Sequence, residues 1–292
     1  MPEIRATRRE LLAAGAAAGA GLALTAPASS QTTRPSPEGL RIGICDWALG
    51  LQDLSALEVA ARAGLDGLEI SMGTQANGLW LRRSEMRAQY LRAARETGLQ
   101  LPSMACIELN NVALMSEPRA ALWLLDTIEA AGEMKIPVIL VPFFHHGELK
   151  RENRQDMRRV TEVLVELAPR AGKAGVTLGL ESYLSAEAHL EILEAVKSPA
   201  VKVYYDAYNA ATAGHDPAAE IRALGAGRIC QVHFKDYPRL EAGDGKVDWP
   251  KVARALREIG YRGWIVLETP CPTGDKVADT AANLAFVRRL FA

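Results

Sequence analysis

The chain of 292 residues carries 34 basic and 35 acidic side chains, a formal charge of −1, and 49% of its residues are hydrophobic. This is the composition of an ordinary globular protein, neither disordered nor fibrous. With no excess of cations to neutralise phosphates, a nucleic acid is not expected as a partner.

The N-terminal stretch MPEIRATRRELLAAGAAAGAGLALTAPASSQ places Arg8 and Arg9 before an Ala/Gly/Leu run and the small-residue site Ala26-Pro27-Ala28. That order is a secretory signal, and the paired arginines point to the twin-arginine route. Residues 1–28 are therefore expected to be cleaved and the mature protein to be periplasmic or otherwise exported. The competing reading, a stable membrane anchor over Leu11–Thr25, falls short of the ~20 apolar residues a span needs. No cysteine follows the cleavage site, which argues against a lipoprotein. The twin-arginine route carries folded proteins, so a metal can be loaded before export. Residues 29–40, rich in Ser, Thr and Pro, read as a linker. Cys45, Cys106, Cys230 and Cys271 are far apart with no C-x-x-C pair, so buried thiols are favoured, and export permits a disulfide without assigning one.

From residue 41 to 292 short β-rich runs alternate with helix-period segments. The strands expected are RIGICDW (41–47), LDGLEISM (65–72), LQLPSMACIEL (99–109) and VILVPFF (138–144). VTLGLESY (176–183), VKVYYDAYN (201–209), RICQVHFKD (228–236) and GWIVLET (263–269) follow. Helices are expected over 83–98, 117–134 and 153–173, where apolar residues recur at three- and four-residue spacing. Gly64, Gly98 and Gly260 suit left-handed helix caps before strands. Eight strand–helix units in about 250 residues predict an α/β fold, a single parallel (β/α)8 TIM barrel. A doubly wound open sheet is the alternative, but no dinucleotide-type glycine fingerprint follows the first strand.

In such a barrel the active site lies at the C-terminal ends of the strands. Strands five to eight end in Glu181, Asp206, His233 and Glu268, each after an apolar run. Three carboxylates converging beside a low-dielectric interior repel one another unless a cation compensates them. One divalent metal ion held by Glu181, Asp206, His233 and Glu268 resolves the conflict. The oxygen-rich set favours Mn2+ or Mg2+, with Co2+, Fe2+ or Zn2+ also able to occupy it. Taken singly, a strand-end glutamate more often meets a lysine and a single histidine is more often structural; four equivalent strand ends shift the balance. His145 and His146 follow the fourth strand, where substrate contact competes with a bland reading as loop histidines. Lys235 either meets a substrate anion or pairs with Asp236 and neighbouring acids. Glu69, Glu108 and Trp47 end earlier strands and suit a sugar pocket.

The segments GLESYLSAE, YYDAYN, VHFKDYPR and DGKVDWPKVARALREIGYRGWIVLE resemble the xylose isomerase-like barrel superfamily, particularly its ketose 3-epimerase and sugar-phosphate epimerase branch. The resemblance runs from about residue 41 to the C-terminus. It implies the same four metal ligands and gives Glu181 and Glu268 the roles of opposed acid and base. It also implies substrate contacts for Glu187, six residues after the first ligand, and Arg239, six after the histidine. Many of these epimerases have a substrate-contacting histidine where this chain has Asn209, which can hydrogen-bond but cannot supply a proton at neutral pH.

The function expected is an exported sugar isomerase or epimerase that abstracts a proton next to a carbonyl, on a free sugar or sugar derivative, a small-molecule carbohydrate. A lyase or hydratase acting on a 3-keto-glycoside, or an inositol-type isomerase, would share the first step and remains an alternative. An apurinic-site endonuclease would need further histidines that LEISMG and CIELNN lack. A non-catalytic sugar-binding protein is disfavoured by the intact Glu181 and Glu268. A homo-oligomer stays open.

Overall fold

A computed structural model describes residues 39–292. The expected export signal and nearly all of the expected linker lie outside the described residues. Within them run β1 (Arg41–Cys45), α1 (Ser55–Arg62), β2 (Gly67–Ser71), α2 (Ser84–Thr97), β3 (Ser103–Ala105), α3 (Pro118–Met134), β4 (Val138–Phe143) and α4 (Arg154–Ala174). There follow β5 (Thr177–Ser182), α5 (Ala186–Val196), β6 (Val201–Asp206), α6 (Ala207–Thr212), α7 (Pro217–Leu224), β7 (Ile229–Phe234), α8 (Trp249–Glu258), β8 (Trp264–Leu267) and α9 (Lys276–Leu290). All strands are parallel and close in order, β1 to β8, with β1 pairing β8. The expected barrel is therefore the fold, and the open sheet is excluded.

Alternation along each strand divides the core. Ile42, Ile44, Leu68, Ile70, Leu178, Leu180, Val232 and Phe234 join the large cluster shared with the helices. Cys45, Ala105, Val138, Leu140, Tyr204, Trp264 and Val266 form a second cluster that fills the barrel. Gly67 is small of necessity: a Cβ there would stand 2.8 Å from the Trp264 ring and 2.7 Å from the Gln100 carbonyl oxygen. The expected helix caps are present, with Gly64, Gly98 and Gly260 at φ of 82°, 73° and 70°.

β3 is much shorter than the expected 99–109. Pro102 has no N–H to donate to a ladder, and after Ala105 the chain turns into a short 3-10 helix at Ile107–Asn110. Glu108 consequently does not end a strand; it accepts from the Gln75 backbone N–H at 2.7 Å. All four cysteines are free, Cys45 and Cys106 fully buried. No helix among the described residues is long and apolar enough to cross a membrane.

Candidate metal centre and active site

The inward parity that packs Tyr204 and Val266 into the barrel repeats two residues later as Asp206 and Glu268, and likewise brings Gln231, His233 and Lys235 to one face. Glu181 arrives by the same parity two residues after Gly179. The side chains of Glu181, Asp206, His233 and Glu268 thus meet at the top of β5 to β8, each offering an atom within 4.8 Å of the others. Metal–ligand bonds of ~2.1 Å span such a spacing.

Each of these four side chains is oriented by a neighbour. Asp206 is the N-cap of α6, its Oδ1 accepting from the N–H groups of Tyr208 (2.7 Å) and Asn209 (2.9 Å). Its Oδ2 is buried with no hydrogen-bond partner. Glu268 Oε1 accepts from Trp47 Nε1 at 2.9 Å, while its buried Oε2 lies 3.1 Å from Lys235 Nζ without hydrogen-bond alignment. Asn209 Nδ2 donates to Glu181 Oε1 at 3.1 Å. His233 turns Nδ1 toward Glu181 Oε1 (3.2 Å) and Glu268 Oε2 (3.5 Å), and Nε2 toward Glu69 Oε2 (3.0 Å).

The charges are unbalanced. Four carboxyl groups, those of Glu69, Glu181, Asp206 and Glu268, surround one lysine and one imidazole, so with all four ionised two negative charges remain even when His233 is protonated. Burial pushes the Asp206 carboxyl up to about 7, against the pull of Lys235. The carboxylates around His233, Glu181 foremost, outweigh its burial and hold the imidazolium form well above its usual range. Burial would raise Glu268 too, but Lys235 and His233 bring it below the ordinary value. Unpartnered Asp206 Oδ2, an inward Nδ1 and surplus negative charge fit a divalent cation.

Above Glu181 and Glu268 opens a cavity of about 530 Å3. Trp47, Phe144, Tyr183 and Tyr237 supply its aromatic walls, and Asn110, His145, Asn209 and Lys235 its polar ones. Three of the expected substrate contacts, Asn209, His145 and Lys235, therefore line it. The other three lie elsewhere. Glu69 is fully buried beneath His233, where Tyr204 Oη also donates to it at 2.9 Å. Glu187 is exposed on the first turn of α5 and forms a two-bond pair with Arg151, both at 2.9 Å. Arg239 turns away to Asp279, 2.8 Å distant and almost wholly buried. Nor do Lys235 and Asp236 pair: just past β7, Lys235 Nζ lies 3.1 Å from Glu268 Oε2, and Asp236 instead accepts from Trp249 Nε1 at 2.9 Å.

Residues 57–290 match the family model described as xylose isomerase-like TIM barrel. The chain belongs to that family. It is 28% identical over 270 residues to an L-ribulose-5-phosphate 3-epimerase of Escherichia coli, covering 85% of this chain and 92% of the relative. It is 27% identical over 215 residues to a 2-epi-5-epi-valiolone 7-phosphate 2-epimerase of Actinoplanes sp., covering 71% and 79%. Among solved structures, an L-ribulose 3-epimerase superposes with a TM-score of 0.72 at 20% identity, over 86% of this chain and 94% of that one. A D-psicose 3-epimerase of Clostridium cellulolyticum gives 0.70 at 20% identity, over 86% and 99%.

Tyr204, Tyr183 and Tyr237 were not singled out from the sequence. Tyr204 shares inward parity with Asp206, which is the signal that could have found it. Tyr237 is placed by a loop whose course depends on Asp236 and Trp249, a tertiary relation that local patterning does not encode.

Proposed function

We propose that this member of the xylose isomerase-like family is an exported, divalent-metal-dependent sugar epimerase or isomerase acting on a free sugar or sugar derivative. The observation that carries this reading is the pair Glu181 and Glu268, both at the floor of one cavity and both in the four-residue ligand cluster. A divalent ion, Mn2+ or Mg2+ by the oxygen-rich donor set, supplies Lewis acidity that favours negative charge on a substrate carbonyl oxygen. Glu181 stands on β5 and Glu268 just after β8, three strands apart around the closed barrel, so they approach a substrate from different sides. One carboxylate takes the proton from the carbon beside the carbonyl. The other, entering protonated, returns a proton to the opposite face, and the two glutamates exchange protonation states over the turnover. Asn209 and Lys235 keep their heads on these carboxylates and hold them in place, while Trp47 fixes the Glu268 rotamer.

The epimerases among the relatives support the reaction class. Among the described residues no arginine lines the cavity, and this, together with the expected export, supports an unphosphorylated substrate. The test is incubation of metal-loaded protein with free ketoses, aldoses and inositols in D2O, followed by NMR. Deuterium next to a carbonyl is expected on at least one compound; no exchange on any of them overturns the proposal. Export is tested separately by replacing Arg8 and Arg9 with lysine, which is expected to retain the protein in the cytoplasm.

A further inference from the structure

The cavity over Glu181 and Glu268 does not stop at the barrel rim. Tyr183, 37% exposed, lines that cavity and also a neighbouring pocket of about 390 Å3 built from Leu149, Leu184, Ser185 and His215, with Lys150 and Arg151 at its edge. The Tyr183 ring is the wall the two share. It packs edge to face on Phe144 with ring centroids 5.0 Å apart, and the backbone carbonyl oxygen of Tyr183 accepts from His215 Nε2 at 3.3 Å.

Two properties of this double cavity restrict what fills it. The first is size. The inner cavity alone, about 530 Å3, falls in the ~300–1,000 Å3 range that accepts drug-sized ligands, more than one sugar ring requires, and the outer pocket extends it. The second is charge. A phosphate or carboxylate on the far end of a substrate would need free donors, and each cation nearby already faces a carboxylate. Arg151 is committed to Glu187 and Glu191, and Lys150 lies 3.5 Å from Glu148. The first amides of α5 are taken as well, Ala186 N–H by Glu220 Oε2 at 2.6 Å and Ala188 N–H by Ser185 Oγ at 3.2 Å. In the inner cavity Lys235 faces Glu268 and Asp206. What remains for a ligand is an exposed tyrosine ring, the apolar flanks of Leu149 and Leu184, and isolated hydrogen-bonding groups. That combination suits the apolar face and hydroxyl edge of an uncharged sugar.

We propose that the substrate is a glycoside or short oligosaccharide, with its carbonyl-bearing unit over Glu181 and Glu268 and a second, neutral sugar unit lying across Tyr183 in the outer pocket. This rests on the carbonyl chemistry proposed above and adds the substrate class.

The experiment compares fructose, fructose 6-phosphate and two fructose-terminated disaccharides, isomaltulose and lactulose, on the metal-loaded protein. Affinity is read by calorimetry and proton exchange by NMR in D2O. At least one disaccharide is expected to bind tenfold or more tightly than fructose, and fructose 6-phosphate no more tightly than fructose. In Tyr183→Ala and His215→Ala the disaccharide-to-fructose affinity ratio is expected to fall toward one. Equal affinity for fructose and both disaccharides, preference for the phosphate, or a ratio unmoved by either substitution overturns the proposal. Exchange into fructose without any disaccharide preference removes the outer subsite and leaves the carbonyl chemistry standing. Disaccharide preference without exchange on any probe supports the subsite and removes the chemistry.

Discussion

Glu69 Oε2 lies 3.0 Å from His233 Nε2, and both side chains are fully buried. The same carboxylate oxygen accepts from Tyr204 Oη at 2.9 Å. A carboxylate so placed keeps the proton on Nε2, so that a divalent ion displacing a proton from the imidazolium would take the one on Nδ1, the nitrogen that faces Glu181 and Glu268. Glu69 is thereby placed to act on the candidate metal site through the histidine. Glu69→Gln is expected to weaken divalent-metal affinity ~10–100-fold, measured by competition with a chromophoric chelator. Tyr204→Phe should lose less, because Glu69 then keeps His233 and loses only a supporting donor. Unchanged affinity in Glu69→Gln would refute the positioning role.

Glu268→Gln separates chemistry from metal binding. The glutamine retains an oxygen for Trp47 Nε1 and a side chain of the same shape, but cannot take up or deliver the proton. Deuterium exchange into substrate is expected to fall ~10²–10⁴-fold, while metal analysis still finds the ion held by Glu181, Asp206 and His233. Loss of metal together with activity would instead make Glu268 only a ligand.

The barrel was legible because its signals are local: apolar runs, left-handed glycine caps, and helices whose expected spans of 83–98, 117–134 and 153–173 differ from those observed by a residue or so at each end. The convergence of Glu181, Asp206, His233 and Glu268 was legible for the same reason, since position near the strand end and parity follow from the run of residues before each one. The directions of the outer side chains were not. Glu187 and Arg239 fall at matching sequence distances, yet their directions are decided by which partner reaches them first: Arg151 across from α5, and Asp279 from α9. A spacing fixes where a backbone stands, and an exposed or half-exposed side chain then goes to the nearest opposite charge. Glu69, expected at a strand end, stands in the middle of β2 and is fully buried against His233, because a buried carboxylate and a pocket carboxylate look alike until the histidine beside them is seen.

Stability of the metal-free protein should fall as pH rises. Burial pushes both Asp46 and Asp206 up to about 7 in the fold, whereas an unfolded aspartate ionises near pH ~3.9. Each group therefore contributes stability that is full below about pH 4 and is lost as pH climbs to about 7; each unit of upward shift costs ~1.4 kcal/mol once both states are ionised. The raised His233 works in the same direction. Thermal melts are expected to give a lower Tm at pH 8 than at pH 5 without metal. Saturating divalent ion should restore much of the difference at pH 8, because it takes the place of the proton on Asp206 and nothing comparable on Asp46. A metal-free Tm that rises from pH 5 to pH 8 would contradict this.

The loop from Lys235 to Asp248 carries Tyr237 into the cavity, and Asp236 is what shapes it. This side chain, 1% exposed, accepts from Trp249 Nε1 at 2.9 Å, the Tyr237 N–H at 2.8 Å and the Asp244 N–H at 3.1 Å. The loop closes over it so tightly that a Cβ on Gly243 would lie 2.1 Å from Asp236 Oδ2 and 2.2 Å from its Cγ. The carboxylate cannot retreat without giving up three donors, so Gly243→Ala must shift the backbone. A cost of ~1–3 kcal/mol is expected, seen as a lower denaturation midpoint. Because Tyr237 is carried on the shifted segment, KM should rise more than kcat falls. Metal affinity should stay near that of the wild type, since His233 on β7 and Glu268 just after β8 stand outside the loop. A variant with wild-type stability and KM would show that the loop has a second way to pack and that Asp236 does not set the position of Tyr237.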